Sequence, residues 1–250
     1  MRQLKNPLFW LIFIFFYARS YTFSEDLLSE FKMQIEKFKT PDEKRAYVKS
    51  LGIEKAILLG NQVWEEIDSE NAYWIGYYGI VSRWRENPYE IVLSVPIIYP
   101  EESKLNAKWK EMITKSLWEY TKTSDISTES AVMDMAIEFT GNANNPPKDR
   151  GYVLSFIGDL WFNYFENAQR LPREEKTKTF YVLNSQVEKI IKGVTDISGL
   201  SQEMKEKRKY LLERLYKFYT RPLLPSEFTE NINFSKVRSL VKEAYLSETK

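Results

Sequence analysis

The chain predicts an all-α fold, an antiparallel helical bundle or an irregular stack of helical hairpins with about nine to ten helices. Three observations predict it. Apolar residues recur at helical spacing almost throughout. Capping and stop signals punctuate those stripes. The one β-branched run, Tyr89 to Val95, is hemmed in by Pro88, Pro96 and Pro100 and has no second run to pair with.

Taken in order, Ser24 can cap a first helix with Leu27, Leu28, Phe31, Ile35 and Phe38 on one face. Thr40-Pro41-Asp42-Glu43 is a strong start signal: a capping Thr, Pro at the first helical position, and Glu three residues after the Thr. Gly52 ends that helix. Ile53, Ala56, Ile57, Gly60, Val63, Trp64 and Ile67 mark the next stripe. Residues 70–86 are apolar nearly all round, as expected of a helix buried on several sides. The segment from Asn87 to Pro100 reads as a short helix or an extended connector. Helical pattern resumes at 101–122, and a helix capped by Ser127 runs to Gly141.

The stretch from Gly141 to Asp149 is the clearest break in the chain. It separates an N-terminal helical subdomain, 21–141, from a C-terminal one, 150–250, unless the two form one continuous domain. Beyond it, Leu154, Ile157, Gly158, Trp161, Phe165 and Ala168 form one stripe, and Phe180, Leu183, Val187, Ile190, Ile191 and Val194 another. Ser201 caps a helix carrying Leu211, Leu212, Leu215 and Phe218, which Pro222 and Pro225 end. A last helix starts at Ser235. No period of 20 to 50 residues emerges, so no repeat family is identified.

Residues 1–20 read as a cleaved export signal. Arg2 and Lys5 precede the apolar run Leu8 to Tyr17, and Ala18 and Ser20 occupy the small-residue cleavage positions. As a helix that run reaches only about 15 Å, half of a hydrocarbon core. An uncleaved anchor is the lesser alternative, and no later stretch approaches a membrane span. Without residues 1–20 the formal charge falls from +1 to −2, since three cations and no acid are lost. That balance argues against a nucleic-acid binder. The expected location is a bacterial periplasm or the secreted space.

The chain has no His and no Cys. This removes imidazole bases, Ser-His and Cys-His pairs, thiolates, disulfides and the common zinc sites. Glu129-Ser130 resembles the Glu-Ser pair that carries the catalytic acid of lytic transglycosylases, exported helical enzymes that cleave cell-wall glycan. The resemblance stops at that pair. Ala131-Val132-Met133-Asp134 stands where a Gly-Leu-Met-Gln type segment belongs, and the Ala-Tyr-Asn element is absent. A Glu at a helix N-terminus also serves the helix dipole. Ser29/Lys32, Ser239/Lys242 and Ser247/Lys250 match Ser-x-x-Lys, but the Lys-Thr-Gly that accompanies it in penicillin-recognising enzymes is missing. Glu65, Glu66, Asp68 and Glu70 form an acidic knot, and Asp134 and Glu138 stand one turn apart, without a calcium-loop pattern. No catalytic residue, metal or cofactor is therefore expected.

Two features point to partners. Tyr73, Trp74, Tyr77, Tyr78 and Trp84 crowd one helix, with Trp161, Phe162, Tyr164 and Phe165 on another; such clusters form a core, a ligand cavity or an interface. The helix 202–221 holds Lys205, Lys207, Arg208, Lys209, Arg214, Lys217 and Arg221 against three Glu, a local +4. Residues 54–70 carry a local −4. Opposite patches can drive head-to-tail self-association or docking on a protein partner. The candidate partner-binding residues are Lys205, Lys207, Arg208, Lys209 and Arg214 with Trp74, Tyr77 and Tyr78. The expected role is a non-catalytic structural or scaffold component of a bacterial envelope assembly, for example a periplasmic flagellar sheath or motor-associated protein. Alternatives are a small-molecule or lipid-binding module with an aromatic cavity, and a glycan hydrolase using one Glu.

Overall fold

A computed structural model describes residues 27–100, 105–123, 126–197 and 199–249. The export segment and the Ser24 cap lie outside the described residues. Helix is the only regular structure among the described residues, so the fold is all-α.

The chain divides into two compact units. Of the described residues, the first holds those from 27 to Arg83 together with Leu105–Lys110, and the second holds those from Trp84 to 100 and those from Glu111 onward. The loop after Gly141, the boundary expected from sequence, lies inside the second unit, between two helices that pack on each other.

In the first unit, α1 (27–37) is followed by α2 (Pro41–Ser50) and α3 (Ile53–Glu66). Then α4 (Ser69–Gly76) runs into a π-helical segment (Tyr77–Val81) and on to α5 (Ser82–Glu86), whose last residues enter the second unit. The capping box at Thr40 is complete. Its hydroxyl accepts from the Glu43 N–H at 3.2 Å, and the Glu43 carboxylate accepts from the Thr40 N–H at 3.0 Å. The start of α7 belongs to this unit: Trp109 is fully buried, and its indole N–H donates to the Ile57 carbonyl at 2.7 Å.

The second unit contains α6 (Tyr89–Ile98), most of α7 (Ala107–Thr123), α8 (Ile126–Gly141), α9 (Pro147–Ala168), α10 (Arg173–Thr195), α11 (Gln202–Tyr219), α12 (Ser226–Thr229) and α13 (Phe234–Glu248). The segment 87–100 takes the helical option, as α6. Pro96 falls in its last turn, so the N–H it lacks removes one helical hydrogen bond close to the end of α6. Two starts differ from the sequence pattern: α8 begins at Ile126, ahead of Ser127, and α7 at Ala107.

The central element is α9, which packs against α6, α8, α10 and α11. Its aromatic cluster is core. Trp161 is fully buried, donates to the Leu183 carbonyl at 3.1 Å, and meets Phe165 and Phe218 with centroids 5.8 and 5.1 Å apart. Trp84 is likewise inside, bonded to the Ser94 hydroxyl at 3.1 Å.

Candidate functional site

The first unit carries an aromatic and cationic patch on α2, α4 and the π segment. Asp68 caps α4 by accepting from the Asn71 N–H at 2.9 Å. That start puts Tyr73 and Tyr77 one turn apart, and their rings stack at 5.8 Å with only 5° between planes. Tyr78 meets Tyr77 edge-on at 4.9 Å. Trp74 is buried, whereas Tyr73 stands 58 % exposed.

The cations come from α2. Arg45 lies 6.0 Å from the Trp74 ring centroid and 5.8 Å from that of Tyr78, and Lys44 lies 6.0 Å from Trp74. Arg45 also pairs with Asp42 at 3.2 Å, an exposed bridge that screens readily. The Thr40 capping box fixes the first turn of α2 and hence where these cations emerge.

The π segment starts at Tyr77. The Ser82 N–H donates to the Tyr77 carbonyl, five residues back, so the helix widens under the tyrosines. Gly79 lets it approach α3: a Cβ there would stand 3.0 Å from that of Ala56. Sequence reasoning found Trp74, Tyr77 and Tyr78 but not the cations of α2, which only the packing of α2 on α4 brings to them.

The basic helix, α11, is less free than its composition implies. Arg208 pairs with Glu248 on α13 and donates to the Val194 carbonyl at 3.3 Å. Arg214 pairs with Asp159 on α9 at 2.6 Å and lies over the Phe162 ring at 4.5 Å. Lys217 pairs with Glu213. Two of the five basic candidates thus hold α11 to its neighbours. Lys205 and Lys209 are exposed, and Lys207 is half-buried. Reversing Lys207, Arg208 and Lys209 together would therefore break the tie to α13 as well as change the charge of α11.

Glu129 sits in the first turn of α8 and is only 7 % exposed. Its charge is felt by the buried Tyr164 phenol, whose pKa is pushed well up, chiefly by burial and then by Glu129. Ser130 accepts a hydrogen bond from the Gln186 amide on α10 at 3.0 Å. The pair is thus embedded between helices.

Three of the four acids of the knot are engaged: Glu66 pairs with Lys32 at 3.3 Å, Glu65 accepts from Asn106, and Asp68 is the α4 cap. Asp134 pairs with Lys189 at 2.8 Å. Among the described residues no three potential ligands gather as a metal group, and no helix is long and apolar enough to cross a membrane. No protein-family model matches this chain, and neither a curated protein nor a solved structure shows significant similarity to it.

Proposed function

We propose that this chain is an exported, non-catalytic helical protein serving as a structural or scaffold component of a bacterial envelope assembly, such as a periplasmic flagellar sheath or motor, through protein–protein contacts. The observation that carries this reading is the Tyr73/Tyr77/Tyr78 patch with Arg45 and Lys44. Tyr and Arg dominate the energetically important positions of protein interfaces, where rigid rings supply contact area at low entropic cost. The patch has both residue types, already ordered by stacking. A π segment also costs helix regularity, and such segments cluster at functional positions.

The non-catalytic part rests on chemistry. Without imidazole or thiol the remaining acid of interest is Glu129, which is 7 % exposed and offers a glycan little access. The export part rests on residues 1–20.

The test is a photo-crosslinker placed at Tyr73 in cells, read alongside the Tyr73→Ala/Tyr77→Ala double variant. A discrete crosslinked envelope partner should appear, and the double variant should lose its co-assembly while its unfolding curve shifts little. A Tyr73 site that crosslinks to nothing, with assembly unaffected by the double variant, sinks the patch as an interface. Glycan cleavage by the purified protein, abolished in Glu129→Gln, would sink the non-catalytic reading instead.

A further inference from the structure

The helix α11 is held from two sides. On one, Arg214 pairs with Asp159 of α9 and lies over the Phe162 ring, and the stem of Lys207 lies beside Gly151. On the other, Tyr216 stacks on Tyr245 of α13 at 4.6 Å, and Arg208 pairs with Glu248. Opposite the buried Met204, Leu211, Leu215 and Phe218 runs an outward stripe: Glu203, Glu206, Tyr210, Glu213, Lys217 and Thr220, at steps of three and four residues. All six are exposed except Glu213, which is half-buried and bonded to Lys217. Lys205 and Lys209 lie off the stripe, on the side of Tyr216. Tyr210 stands 57 % exposed at the middle of the stripe, with the Arg214 guanidinium 5.6 Å from its ring centroid.

We propose that this face of α11 pairs with the same face of a second copy of the chain, antiparallel about a two-fold axis, with Glu206 of each copy against Lys217 of the other. The stripe is its own complement on reversal. With the two helices antiparallel, Glu203 lies across from Thr220 of the second copy, Glu206 from Lys217, and Tyr210 from Glu213, whose carboxylate accepts from the phenol. No like charges oppose each other along the stripe. A parallel pairing would instead set each acid against its own twin. The flanking cation Arg214 is already matched by Asp159. The helix dipole accounts for Glu203 in the first turn and Lys217 in the last, but not for Glu206 or for a tyrosine held in water at mid-helix. Tyrosine is a residue that interface centres use, and this one lies next to the axis. One helix pair about 27 Å long is a small contact, so the pairing is reversible and weakens with salt.

The absence of Cys makes the test direct. Gln202 and Thr220 are exposed and uncharged, so the full-length Gln202→Cys/Thr220→Cys chain keeps every charge of the stripe. It is treated with a bismaleimide spanning about 10 Å, the separation of packed helices. Within one chain the two thiols stand about 27 Å apart and cannot be bridged, whereas the antiparallel pair sets each across from the other in the second copy. A covalent dimer should form, and neither single-Cys chain should give one. Lys217→Glu in the double-Cys chain should weaken dimerisation about tenfold, the worth of two exposed ion pairs. Adding Glu206→Lys should restore it, which a misfolded variant would not do. The absence of a covalent dimer overturns the proposal. So does a dimer from either single-Cys chain, which would mark parallel or unspecific association, including any through the apolar run of residues 1–20. A Lys217→Glu chain that dimerises as well as its parent, or one that Glu206→Lys does not restore, overturns it too. None of these readouts depends on the Tyr73 patch, so the two readings fail separately.

Discussion

Gly60 is held to its identity by one ring. A Cβ at that position would stand 1.9 Å from the nearest atom of the Trp109 indole, which is fully buried and tied to the Ile57 carbonyl. The indole cannot retreat without losing that hydrogen bond, so overpacking there costs about 1–3 kcal/mol or more. Gly141 is the natural control, since a Cβ there meets nothing within 4 Å. Gly60→Ala should lower the melting temperature clearly, while Gly141→Ala should leave it unchanged or raise it slightly through backbone entropy. Equal melting temperatures for the two variants would mean that Trp109 is not packed as described. The same scale holds what composition does not show of α11. Arg208 and Arg214 have the composition of surface cations, but their partners, Glu248 and Asp159, lie 40 and 55 residues away in sequence.

Between elements, Glu188 joins α10 to α13. Both its oxygens accept from Lys236 on α13, at 2.9 and 2.8 Å, and one also accepts from Lys192 at 3.0 Å. The Lys236 hydrogen bond first, and then that of Lys192, hold the Glu188 pKa below its ordinary value. A lowered carboxyl pKa gives stability that is present above the ordinary carboxyl range and is lost as pH falls through the folded value. Glu188→Gln should therefore be slightly less stable than the parent near neutrality, by no more than about 1 kcal/mol for pairs this exposed. The gap should close on acidification to strongly acid pH. Thermal unfolding followed across that range checks the sign, and a gap that widens with acid would contradict the bridge.

At the scale of the whole molecule, the proposed export would decide where any partner is met. Residues 1–20 carry a positive, an apolar and a small-residue region in the order proposed for a cleaved signal. N-terminal sequencing of the protein from fractionated cells should begin at Tyr21, in the periplasmic or secreted fraction. An intact Met1 in the membrane fraction would make the apolar run an anchor. The division into two units also belongs to this scale. Gly141 to Pro146 has the composition of a boundary, yet α8 and α9 on either side pack together, and the units divide instead at Arg83/Trp84, inside a helical run, and on either side of Leu105–Lys110. Loop composition reports where the backbone turns. It does not report which helices then bury each other's faces.

The all-α class, most helix stripes, the Thr40 and Ser201 caps and the limits on chemistry follow from the sequence itself. Periodicity, capping and the lack of His and Cys are local facts, legible within a turn or two of chain. The structure decided what depends on distant pairs. It made the α9 aromatics core, set Arg45 beside Trp74 and Tyr78, and turned Arg208 and Arg214 inward to acids on other helices. It also formed α12, whose four residues carry no periodic signal and whose Phe228 gains its burial only from rings on other helices. A side chain's energy depends on what packs against it, and that neighbour is set by the tertiary fold.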